Sequence, residues 1–146
     1  MTNTMSKTLA FKQNSDLHPA LSDPATRTLN ASNMTGRWVN TDPATQGIAE
    51  IVIEEDAEQF YVSAVGVGAA GPIQWPRTRA QALANLEEEA GQRSIALAVT
   101  FDFGFMKADT YLRANKGVLV IVLFNVFMDR SGRSNYVNRE FYYRVD

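Results

Sequence analysis

The chain has 146 residues, 45% of them hydrophobic and 21% charged, with a formal net charge of -2 at pH 7. That is one domain's length with apolar material for one core, which excludes a wholly disordered chain, and the near-neutral charge excludes a general attraction to nucleic acid or anionic lipid. Zero cysteines and a single histidine, His18, exclude a disulfide framework, a thiolate metal site, a cysteine nucleophile and a multi-histidine metal centre, so no cofactor and no metal are expected.

Residues 1–33 are rich in Ser, Thr, Asn and Pro, with scattered Leu9, Phe11, Leu17 and Leu21. They read as an N-terminal arm or lid, either loose or packed on a body spanning 34–146. The opening residues lack a continuous apolar run, which points away from a secretory signal. No stretch approaches about 18 apolar residues, so no membrane-spanning helix is expected, and the expected location is cytoplasmic.

From Gly36 onward apolar runs recur between turn residues. The first expected strand is 36–40, closed by Thr41-Asp-Pro-Ala-Thr45. Over 47–54, Ile51 and Ile53 alternate with Glu50, Val52 and Glu54, the period of a half-buried strand. Glu55-Asp56-Ala57-Glu58 forms a turn, and 60–67 alternates again. Gly66, Gly68 and Gly71 then predict a bend or bulge. The next piece is ambiguous. The residues between Arg77 and Ala90 favour a helix capped by Gly91, whereas the spacing of the other runs favours a strand over roughly 73–84. Strands follow at 94–103, 105–113, 118–128 and 135–144, separated by Gly104, by Asn115-Lys116-Gly117 and by the loop 129–134.

These eight strands have short connections and no strand–helix–strand alternation. That predicts an all-β fold, an antiparallel up-and-down meander. Closing the meander into an eight-stranded barrel removes its two exposed edges and encloses room for side chains or one small ligand.

The segment Met34-Thr35-Gly36-Arg37-Trp38-Val39-Asn40 resembles the opening signature of the calycin barrels, the lipocalins with their Gly-x-Trp and the avidin-like proteins with their Thr-Gly-x-Trp-x-Asn. The resemblance implies that Trp38 plugs the closed end of a lipocalin-like barrel. It also implies that a late basic residue, Arg139 or Arg144, packs over it.

A barrel's natural site is its interior mouth. On the strand at 118–128 the face Leu119, Ile121, Leu123, Asn125, Phe127 contains one polar residue, Asn125. On the last strand Tyr136, Asn138, Glu140, Tyr142 and Arg144 share a face. If that face points inward, Glu140 sits among aromatics as a candidate acid or base; if outward, the face is merely solvated. Asp102, between Phe101 and Phe103, is either a second interior acid or a residue ending a strand before the Gly104 turn. Trp75, bracketed by Pro72 and Pro76, lines the mouth and stacks on a flat ligand, or is a core or rim aromatic. The opposite face of 118–128, carrying Val118, Val120, Val122, Phe124 and Val126, would leave an apolar stripe outside the barrel. A homodimer is expected to cover it, with the N-terminal arm as the competing cover.

Three functions fit. One is a binding module for a small hydrophobic or aromatic molecule. Another is a cofactor-free cyclase or isomerase, by fold-level analogy with barrel cyclases such as allene oxide cyclases and bacterial pericyclases, in which the cavity orders the substrate. The last is a structural or interaction barrel whose interior is filled by aromatic side chains.

Overall fold

Alternation with a period of two puts successive side chains on opposite faces of a strand, and burial follows it closely here. Along 106–113 buried and exposed residues strictly alternate. A computed structural model describes residues 29–30, 33–84 and 93–145. The described strands are β1 (Leu29–Asn30), β2 (Gly36–Asn40), β3 (Ile48–Asp56), β4 (Gln59–Gly68), β5 (Gly71–Ala84), β6 (Arg93–Asp102), β7 (Met106–Asn115), β8 (Val118–Phe127) and β9 (Tyr136–Val145). From β2 to β9 each strand is antiparallel to the next in the chain, and β2 pairs with β9. The result is a closed eight-stranded up-and-down barrel. The short β1 adds a parallel pairing to the start of β6.

The ambiguous segment is strand as far as Ala84. The remainder of the alternative helix, with its Gly91 cap, lies outside the described residues. So does nearly all of the expected arm at 1–33, including His18.

The irregularities fall elsewhere than the glycines predict. Gly66 stays in the ladder, opposite Ile73, and Gly68 and Gly71 flank a two-residue hairpin turn. One register shift instead leaves Ala49 as an extra residue in β3. The other sits in β5, where Pro76 and Arg77 together oppose Ser63. Pro76 has no backbone N–H to give a ladder, so the break falls where it costs least. Each bulge resets the alternation. Ile48 and Ile51 are three residues apart yet both buried, and Trp75, three residues before Thr78, turns into the core cluster. A regular strand would have sent one of each pair outside.

The inward faces meet in one core that includes Trp38, Ile51, Ile53, Leu97, Phe101, Leu112, Leu119, Ile121 and Tyr142. Eight strands enclose an interior just wide enough for side chains to fill, and that is the case for most of this barrel. Trp38 lies at one end, 1% exposed, and its indole Nε1 donates to the Met34 carbonyl at 2.9 Å. The Arg144 guanidinium stands 4.8 Å from the indole ring centre. Arg139, the other candidate cover, faces outward over Phe141.

Candidate functional site

The end of the barrel away from Trp38 is where β6 finishes and where β5, β7 and β9 begin. A cleft of about 280 Å³ opens there. Trp75, Phe103, Phe105 and Tyr136 give it four aromatic walls, with Val67, Ile73 and Met106 completing the apolar lining. The Trp75 ring meets Phe101 edge-on at 5.0 Å and Phe103 at 4.8 Å, in the T-shaped arrangement that aromatic quadrupoles favour. Phe101 is buried beneath it. Phe127 lies near Tyr136, with ring centres 6.2 Å apart, and carries Arg133 of the 129–134 loop on its face at 4.1 Å.

Two glycines make this cleft possible. A Cβ on Gly66 would stand 2.7 Å from the Trp75 Nε1, and one on Gly47 would stand 2.6 Å from a Glu140 carboxylate oxygen. Both glycines line the cleft, so their bare backbones are the seats on which the Trp75 indole and the Glu140 carboxylate rest.

The inward face of β9 carries a polar chain next to the cleft, reached through Gly47. Asn125 Nδ2 donates to Asn138 Oδ1 at 2.9 Å, and Asn138 Nδ2 reaches Glu140 at 3.5 Å. Glu140 Oε1 accepts from Asn40 Nδ2 at 3.0 Å and from the Thr45 hydroxyl. Its Oε2 accepts from the Ile48 backbone N–H at 3.3 Å and lies 3.3 Å from the Tyr142 hydroxyl oxygen. The Tyr142 hydroxyl donates to the Ile48 carbonyl at 2.8 Å. Asn40 uses its whole amide: Nδ2 also donates to the Ile48 carbonyl, and Oδ1 accepts from Asp42 N–H. Burial, and secondarily the negative charge on Glu140, pushes the Tyr142 phenol above its ordinary value.

Of the residues singled out from sequence, Trp75, Phe103 and Tyr136 meet at the cleft, with Phe101 below and Phe127 at its side. Asn125, Asn138, Glu140 and Tyr142 form one polar chain on the interior. Asp102 is not among them. It is exposed, and its carboxylate accepts the Gly104 N–H at 2.9 Å, holding the turn between β6 and β7.

Sequence reasoning missed Gly47, Gly66, Phe105, Asn40 and Thr45. Asn40 was within reach, since it shares the inward face of β2 with Trp38 two residues earlier. Thr45 was not, because its partner Glu140 lies 95 residues away and no local pattern joins them. Among the described residues no group of three or more His, Cys, Asp or Glu side chains is placed to hold a metal ion. No protein-family model, curated protein or solved structure matches this chain.

Proposed function

We propose that the protein binds a small hydrophobic or aromatic molecule in the mouth of a calycin-like barrel. The observation that carries this reading is the cleft itself. It is a concave site walled by four aromatic side chains at one end of a barrel whose other end holds a buried tryptophan. Pockets of this kind are mostly apolar with a few placed polar groups; here Gln46 and Tyr136 bring polar atoms to the lining, and the Glu140 carboxylate lies against Gly47. The Trp38–Arg144 stack supports the likeness to calycin barrels suggested by the opening motif.

The cyclase or isomerase alternative asks for a carboxylate with a lone pair to offer. Glu140 already accepts from four donors, which fills the roughly four lone-pair positions of a carboxylate. Asp102 is engaged at its turn on the outside. The arrangement therefore favours holding a molecule over abstracting its proton. A wholly filled structural barrel accounts for the core but not for the cleft above it.

The test is a titration of the full chain with the neutral probe N-phenyl-1-naphthylamine, following probe fluorescence and tryptophan quenching. Saturable binding is expected. Trp75→Ala, which removes one wall, weakens it about tenfold or more, in line with loss of a packed aromatic contact. Absence of saturable binding, or a Trp75→Ala variant that binds as well as the parent, overturns the reading.

A further inference from the structure

Every outward position of β8 is apolar, from Val118 through Val120, Val122 and Phe124 to Val126. The register continues the patch sideways. Tyr143, Phe141 and Val137 of β9 stand beside Val118, Val120 and Phe124, and Tyr111 of β7 stands beside Val122. Phe124 is 52% exposed and Val137 60%. The exposed parts of this patch amount to roughly 600–700 Å², at or beyond the most that an ordinary monomer leaves in one place and close to the ~800 Å² each partner gives to a standard interface. The opposite side of the barrel differs. There Glu50, Glu54, Arg37 and Arg77 project outward in ion pairs. Among the described residues the continuous apolar surface is centred on β8, which suits a docking face and not a lipid-facing belt, which would run all the way round.

We propose that this face is a self-association surface, on which two copies of the chain stack about a two-fold axis running along β8. Arg139 of β9 lies beside Val122 on one flank of β8, and Lys107, Asp109 and Arg113 of β7 lie beside Val126, Phe124 and Val120 on the other flank. A two-fold along β8 lays β9 of one copy over β7 of the second. Each Arg139 then faces the Tyr111 ring of its mate, an aromatic face that suits a guanidinium, with Asp109 two residues to one side and Arg113 two residues to the other.

The full chain tests this by sedimentation over a range of concentrations. The expected mass is twice the 16.2 kDa of one chain, and Val122→Arg weakens association at least about 30-fold, as for a central interface residue. Circular dichroism and the urea midpoint confirm that the variant is folded. The chain has no cysteine of its own, so Val122→Cys is expected to form a disulfide-linked pair, while Ser63→Cys on β4, across the barrel, does not. A parent chain that stays monomeric at about 100 μM overturns the proposal. So does a benzophenone attached at Val122→Cys that cross-links to residues 1–28 of its own chain, because the arm would then be the cover.

Discussion

Glu140 and Tyr142 occupy one face of β9 and hold three elements together. Through Asn40, Thr45 and the Ile48 N–H, the carboxylate ties β9 to the connection between β2 and β3, and the Tyr142 hydroxyl adds a bond to the Ile48 carbonyl. The phenol's raised pKa has a consequence for stability. Below its ordinary value near 10 the phenol is protonated in both folded and unfolded chains and contributes no pH dependence. Above it the unfolded chain loses the proton first, the folded chain keeps it, and stability falls as pH rises. Urea unfolding between about pH 10 and 12 is expected to show this decline. Tyr142→Phe should flatten it while costing about 1 kcal/mol at neutral pH for the lost hydrogen bond. An equal alkaline slope in the variant would show that Tyr142 is not its source.

The β3–β4 hairpin closes with Asp56 opposite Gln59, so Ala57 and Glu58 alone make the turn. Both have positive φ, 51° and 66°, the pattern of a two-residue turn whose twist matches its strands. Neither residue type favours that region. The β7–β8 hairpin meets the same demand with Lys116-Gly117, using glycine at the second position. Glu58→Gly is therefore expected to stabilise the protein by about 0.5–1 kcal/mol, read as a higher urea midpoint with unchanged slope. In β5 the bulge at Pro76 has a different role. It rotates Trp75 inward against Phe101 and Phe103, so a local break in pairing builds one wall of the cleft.

Taken as a barrel, the molecule has two unlike ends. Trp38 fills one, bonded to Met34 and stacked with Arg144. Removing it by Trp38→Ala is expected to cost about 3–5 kcal/mol, the range for an emptied aromatic site in a core. Because the cleft lies at the far end, a folded Trp38→Ala barrel should bind N-phenyl-1-naphthylamine with affinity close to the parent's, measured by the same titration well below the unfolding midpoint. A tenfold loss would mean that the two ends are coupled through the core.

The strand pattern and the antiparallel order were legible because each is a local or periodic property. Alternation with a period of two marks strands, and short turns impose antiparallel neighbours. The apolar run of β8 was equally plain, since it lies in consecutive residues. The bulges were not, because an extra residue shows only against its partner strand, and the glycines that suggested them serve as a ladder residue and turn flanks instead. Nor could one chain segment reveal that Glu140 would find Thr45 and Asn40, or that Asp102 would turn to solvent. The amino-acid order alone determined which residues share a strand face. Closure of the barrel decided which face became the interior, because inside and outside exist only once β2 has paired with β9.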